Sequence, residues 1–246
     1  MSNLMDKIKK AGYWEVIIHP NEFKENLISD ISQLQKIIED NQVRLRGWYY
    51  PHLDKVVYRS GKDAITSDCD WEQGPRFEQW KYYQSGQFLH YFSIDEDYFI
   101  DAKKREEIMN SFRFNEEMGE GKEVKNFLGI IGVIYSVTEI YQFASRLAEK
   151  GLLGDTFTIK IKLGNVKNRM LFFWDVFRFL NRPYICLTED NSINIEYNDL
   201  SKESIIKEAD NLALDAAIEI FRYFNWNTVQ KNIFSEDQKK FLERRI

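Results

Sequence analysis

Hydrophobic and polar positions recur along this chain with two periods, and each period predicts an element. Tyr13 to His19 is dense in β-formers and stops at Pro20, which predicts a strand after a short polar helix over residues 2–10. Ile31, Leu34, Ile37 and Ile38 recur at three and four, so a helix runs to about Asp40 with Ser29 or Asp30 as its cap. Val43 and Leu45 alternate with Arg44 and Arg46, the pattern of a half-buried strand. Val56–Tyr58 and Ala64–Thr66 flank Ser60–Asp63, which predicts a hairpin turn. Gln87–Ser93 reads as a further strand, with Phe77–Tyr83 as a short helix before it. Tyr98–Phe112 reads as a charged helix, and Asn115–Glu123, acidic with two glycines, as a loop.

The second half repeats the logic. Residues 124–150 form a helix whose first half is apolar all round and whose later turns carry a polar stripe at Ser136, Glu139, Gln142, Arg146 and Lys150. Gly151 suits the position that ends it. Thr156–Leu163, Arg169–Trp174, Tyr184–Thr188 and Ile193–Tyr197 follow as strands. Asp199 or Ser201 caps a helix to about Tyr223, and Ser235 opens a last one. The expected fold class is α+β, with two antiparallel β-meanders packed with long helices. The expected halves are 1–112 and 124–246, joined by the loop 113–123, or one continuous domain. No repeat of 20–50 residues occurs, and neither GxGxxG nor GxxxxGK[ST] is present, which disfavours a doubly wound nucleotide-binding fold.

Composition narrows the classes further. Of 246 residues, 43% are hydrophobic and 15% aromatic, too many for a disordered chain. The net charge of −5 argues against a purely electrostatic polyanion binder, although a local basic groove survives such an average. Cys69 and Cys186 lie far apart without CxxC spacing and read as reduced thiols, which with the absence of a signal-peptide pattern predicts a cytoplasmic protein. Ser136, Thr138, Glu139 and Gln142 interrupt the most apolar stretch, so no membrane partner is expected.

Candidate chemistry concentrates in Arg44-Leu45-Arg46-Gly47-Trp48-Tyr49-Tyr50-Pro51-His52. Two arginines two apart share one face of a strand, a guanidinium grips phosphate or carboxylate in a fork, and aromatic faces stack bases. Trp80, Tyr82 and Gln84 belong to a second dense aromatic stretch between Trp71 and Phe92. Arg44, Arg46, Trp48, His52, Trp80, Tyr82 and Gln84 are therefore the candidate ligand-binding residues. The competing reading is a solvated arginine face beside core aromatics. Asp68, Asp70 and Glu72 alternate and could hold a divalent cation on one strand face, against plain turn duty. No pair among His19, His52 and His90 has metal-ligand spacing. Glu139 is either a buried base or, as its stripe suggests, a residue facing water or a partner. No cofactor and no catalytic residue is indicated.

Val43-Arg44-Leu45-Arg46-Gly47-Trp48, Pro51-His52, Trp80-Lys81-Tyr82-Tyr83-Gln84-Ser85-Gly86-Gln87-Phe88, Thr138-Glu139 and Phe143-Ala144-Ser145-Arg146-Leu147 together resemble an uncharacterised bacterial module. That module is found alone or after an AlbA-type (Schlafen-like) nucleic-acid or ATP-binding domain. The resemblance implies a bacterial, cytosolic setting near nucleic-acid or defence systems, without the AlbA-type half and its activity. The first expectation is a non-enzymatic binding module for a partner protein, nucleotide or nucleic acid. The alternatives are a metal-dependent phosphodiester hydrolase and a structural subunit of a homo-oligomer. Whether the chain is an enzyme stays open at this point.

Overall fold

Alternation of inward and outward side chains builds a single seven-stranded sheet in the structure, a computed structural model that describes residues 4–53, 57–71, 76–111, 123–175 and 177–245. Helix α1 (Leu4–Lys10) precedes β1 (Tyr13–Pro20), and α2 (Gln33–Asn41) leads to β2 (Val57–Arg59), β3 (Ala64–Trp71), β4 (Arg76–Tyr83) and β5 (Phe88–Ser93). Helices α3 (Glu96–Phe99) and α4 (Ala102–Ser111) follow, then β6 (Asn126–Gly129) and the long α5 (Ile130–Glu149). The chain ends with β7 (Thr156–Gly164), β8 (Arg169–Phe172), β9 (Ser192–Ser201), α6 (Lys202–Tyr223) and α7 (Asn232–Leu242).

The sheet order is β2-β3-β4-β5-β1-β7-β9, with antiparallel neighbours throughout, and β6 pairs β8 in a small parallel sheet. The α+β class holds, and both meanders meet at β1, which bonds β5 on one edge and β7 on the other. Register lines up one face in rows. Ile65, Tyr82, Phe88, Ile18, Ile159 and Tyr197 form one row, and Ser67, Trp80, His90, Val16, Ile161 and Ile195 the next. A third row runs Cys69, Glu78, Phe92, Trp14, Leu163, Ile193. The buried sides of α5 and α6 close over this face in one apolar cluster. On a strand, only alternate residues share a face, so two charged or polar groups, Glu78 and His90, are carried into that core along with the rings.

Several expectations need correction. Phe77–Tyr83 is strand β4, not a helix. Glu78 occupies an inward position there, and a buried charge hides the apolar alternation. Val43 and Leu45 belong to no strand: Val43 and Tyr50 make one isolated bridge, with a tight excursion between them. Tyr184–Thr188 likewise contributes only the Met170–Ile185 bridge. Residues 126–129 are strand, because their backbone pairs with β8 before α5 begins. The charged helix divides into α3 and α4, and α7 opens at Asn232 rather than Ser235. Helix α2 starts at Gln33, and the Asp30 carboxylate caps a turn by accepting the Ser32 N–H at 2.9 Å. Ser201, not Asp199, caps α6 by accepting the Ser204 N–H at 3.1 Å. Gly151 takes the left-handed conformation (φ 73°) that ends α5. Most of the expected loop at 113–123 lies outside the described residues. Among those described, no helix is long and apolar enough to cross a membrane. Both cysteines are buried.

Candidate functional site

The excursion between Val43 and Tyr50 lays its side chains across the end of the helix-covered face. Val43 and Tyr50 exchange backbone bonds of 2.8 and 2.7 Å, and the Gln42 side chain donates to the Pro51 carbonyl at 2.7 Å. That frame separates the two arginines. Arg44 stays exposed, its guanidinium over the Tyr49 ring at 5.1 Å. Arg46 turns inward to the fully buried Glu139 of α5, with contacts of 2.6, 3.1 and 3.2 Å, and donates to the Ser136 hydroxyl at 3.2 Å. Glu139 therefore does not face water. Its stripe meets other elements instead: Gln142 bonds Asp210 of α6, and Arg146 bonds the Gln42 carbonyl. Burial pushes the Glu139 carboxyl above its ordinary range, and the Arg46 guanidinium offsets part of that rise.

A second chain of charge comes from the sheet. Arg76 and Glu78 sit two apart on β4, so they share a face, and Arg76 Nε donates to Glu78 Oε2 at 2.9 Å. Glu78 Oε1 accepts the His52 N–H at 2.8 Å and contacts His90 Nε2 at 2.9 Å. His90 Nδ1 lies 3.2 Å from the Tyr50 hydroxyl. Burial opposes ionisation of Glu78, but Arg76, His90 and the His52 amide together hold its carboxyl well below the usual carboxylate range. Burial, with the charges of Glu78 and Glu139, lifts the Tyr50 hydroxyl far above its ordinary value.

The two chains meet around a cavity of about 50 Å³, room for a few waters or a group of that size. Arg46, Trp48, Tyr50, Arg76, His90 and Asp95 line it, with Glu96, Ser93 and Ser136 among the remaining walls. The Trp48 indole is engaged by both guanidinium groups, Arg46 at 5.1 Å and Arg76 at 4.5 Å from the ring centre. Its buried Nε1 has no hydrogen-bond partner among the described residues. Arg76 spends only Nε on Glu78, which leaves the rest of its fork without a hydrogen bond among the described residues.

Two adjacent carboxyls complete the wall. Burial raises Asp95, against the pull of Arg76 and Arg46. Burial, then the Asp95 charge, pushes Glu96 up to about 6, although its Oε1 accepts the Gly129 N–H at 2.9 Å. A raised carboxyl resists ionisation in the fold. Below the unfolded value of about 4.5 both states are protonated; above it the unfolded chain ionises first, so Glu96 costs stability increasingly up to about pH 6 and constantly beyond. Glu96→Gln keeps the acceptor for Gly129 and should raise stability at pH 7.5 by about 1–2 kcal/mol, an advantage that vanishes at pH 4. Thermal melts of both proteins at the two pH values check this.

The other expected residues serve elsewhere. Trp80 and Tyr82 are sealed in the core, so they form no solvent-facing surface; Trp80 Nε1 donates to the His52 carbonyl at 2.6 Å. Gln84 is buried and bonds the Ile28 carbonyl at 2.9 Å. His52 acts through its backbone, tying both Glu78 and Trp80 to the excursion. Of the seven candidates only Arg46 and Trp48 reach the cavity. Arg76, Glu78, His90, Tyr50, Asp95 and Glu96 were missed. The one available signal was alternation: His90 lies between Phe88 and Phe92 at i±2, and Glu78 lies two before Trp80, which puts both on a core face.

Asp68 and Asp70 do share the opposite face of β3, but each is committed. Asp68 accepts from Tyr58 and Gln79, at 2.8 and 2.7 Å, and Asp70 pairs with Lys7 at 2.7 Å. Glu72 lies outside the described residues. Among those described, no three His, Cys, Asp or Glu side chains are placed to hold a metal. On the surface, Phe177 and Phe179 are 89% and 81% exposed on a loop that Arg178 anchors to Asp237 by two bonds of 2.7 Å.

No protein-family model, curated protein or solved structure matches this chain.

Proposed function

We propose that this chain is a binding module of the bacterial cytosol, whose cavity receives a small oxyanionic group, phosphate or carboxylate, borne by a partner protein, nucleotide or nucleic acid. One observation carries the reading: Arg76, with most of its fork unspent, and Trp48, whose indole N–H has no partner among the described residues, both line a cavity sized for such a group. A guanidinium fork and an indole N–H are donors only, so a ligand that satisfies them must supply acceptors. Stacking of a base on Trp48 has less support, because two guanidinium groups already engage that ring. In mild acid, protonation of Glu96, raised to about 6, lessens the repulsion an anion meets there. The exposed Phe177 and Phe179 support contact with a partner on the same molecule.

Calorimetric titration with inorganic phosphate and with sulfate tests the reading. The native chain should bind either anion. Arg76→Lys keeps the charge and removes the fork, and Trp48→Phe keeps a ring and removes the N–H; each should weaken binding roughly tenfold. An unaltered affinity in both variants, or no heat with the native chain, ends the proposal.

A further inference from the structure

His90 is the one imidazole enclosed by this cluster, and its two ring nitrogens have unlike partners. Nε2 faces the Glu78 carboxylate at 2.9 Å, and Nδ1 faces the Tyr50 hydroxyl at 3.2 Å. An ionised carboxylate only accepts, so Nε2 must carry a hydrogen whichever form the ring takes. In the neutral ring Nδ1 is then a bare acceptor, and the Tyr50 O–H is bound to donate to it. In the imidazolium Nδ1 carries a hydrogen too, so Tyr50 must accept, and its own O–H is released to point elsewhere. Tyr50 and His90 both line the cavity. Protonation of one buried ring therefore turns a cavity wall from acceptor to donor without moving a heavy atom.

We propose that the cavity takes up an oxyanion together with a proton, the proton binding at His90 Nδ1 and the Tyr50 hydroxyl swinging from the imidazole to the anion. This rests on the oxyanion reading above and deepens it. The balance is simple. A solvent proton forms the Nδ1–H bond, the Tyr50 O–H···Nδ1 contact reverses to Nδ1–H···Oη, and the freed O–H donates to the ligand. No electron transfer or leaving group is involved. The added positive charge is shared between Glu78 and the anion, so each stabilises it.

The charged neighbours have to be separated from this effect. Glu78 of β4 and Tyr50 of the excursion contact the ring; Arg76 and Arg46 line the same cavity, and Glu139 of α5 pairs with Arg46. Asp95 and Glu96, at the start of α3, line the same cavity and take up protons of their own. Among the described residues, only His90 hydrogen-bonds the Tyr50 hydroxyl. Proton uptake that requires both His90 and Tyr50 thus belongs to this device, and uptake that requires Glu96 does not.

Sulfate is the suitable probe, since it does not itself titrate between pH 6 and 8 as phosphate does. Calorimetry at both pH values, in two buffers of different ionisation enthalpy, reads affinity and proton uptake together. The native chain should bind sulfate more tightly at pH 6, with proton uptake. Tyr50→Phe should lose roughly tenfold in affinity at pH 6 and little at pH 8, where the hydroxyl is held by the imidazole. His90→Gln, which can donate to Glu78 and accept from Tyr50, should abolish the uptake, whereas Glu96→Gln should retain it. Nitrogen NMR of the native chain needs no substitution: at constant pH, added sulfate should shift the His90 ring toward the imidazolium form. Uptake that persists in His90→Gln, equal affinity of Tyr50→Phe at pH 6, or an imidazole spectrum indifferent to sulfate would each overturn the inference while leaving anion binding intact. Absence of sulfate and phosphate binding at every pH would overturn the binding reading itself.

Discussion

Glu78→Ala should lower the stability of this protein by about 3–5 kcal/mol, because it strands charge in the core instead of removing a surface pair. Glu78 is 1% exposed and is the common partner of Arg76, His90 and the His52 amide. Its loss leaves a guanidinium and a backbone N–H without acceptors and unties the excursion from the sheet. At about 2–4 °C for each kcal/mol in a chain of this size, the melting temperature should fall by about 10 °C or more. The pH dependence is fixed in sign. The folded carboxyl is depressed, so its stabilisation is fully present above the unfolded value near 4.5 and is lost as pH falls through the folded one. The difference between the native chain and Glu78→Gln should therefore be widest near neutrality and narrow steadily in acid. Chemical denaturation from pH 7 down to pH 3 measures it, and a gap independent of pH would mean that ionised Glu78 is not what holds this region.

Arg169→Ala should cost a similar amount, about 3–5 kcal/mol, at a place with no part in the cavity. Arg169 is 1% exposed and grips Asp97 with two bonds of 2.5 and 2.6 Å. It also donates to the carbonyls of Phe127 and Asn165, at 2.7 and 3.3 Å, and Asp97 accepts the Gly12 N–H at 2.6 Å. One ion pair thus pins α3, β6, β8 and the start of β1 together. Gly12 leaves room for it: a Cβ there would collide with the Arg169 guanidinium. Truncating Arg169 leaves a buried carboxylate alone, whereas Arg169→Met with Asp97→Leu removes both charges and should recover part of the loss. Equilibrium unfolding of the single and double variants decides this. At temperatures where Arg169→Ala remains folded, its affinity for sulfate should match that of the native chain, which separates a packing role from a role in binding.

The two predictions share a feature that sequence patterning handled poorly. Where a strand's inward positions were apolar, as with Phe157, Ile159, Ile161 and Leu163, alternation was plain and the element was read correctly. Where an inward position carried charge, alternation broke. Phe77–Tyr83 was expected as a helix because Glu78 stood where an apolar residue would have shown the alternation of a strand. Glu139 looked solvent-facing for the same reason, since a carboxylate on a polar stripe is ordinarily wet. The pair Arg44 and Arg46 failed differently. Their spacing assumed a strand, but the backbone between Val43 and Tyr50 turns, and turning sends neighbouring side chains to opposite sides. Tight aromatic density was real, yet most of its rings proved to be core. Trp80, Tyr82 and Phe88 pack on Phe143 and its neighbours in the helix-covered cluster.

The sequence by itself determined the α+β class, the positions of most strands and helices, the Gly151 end of α5, and a cap for α6 at either Asp199 or Ser201. These are local properties: a residue's period, cap or turn preference is felt within a few positions of itself. Which charges go inside was decided only by tertiary structure. A buried guanidinium or carboxylate is tolerable only beside its counterion; Glu78 has Arg76 two positions away, but for the other two pairs the counterions lie far apart in the chain, Glu139 ninety-three positions from Arg46 and Asp97 seventy-two from Arg169. No local pattern encodes such a distance. It becomes readable only when the sheet sets its register and α5 lies down across it.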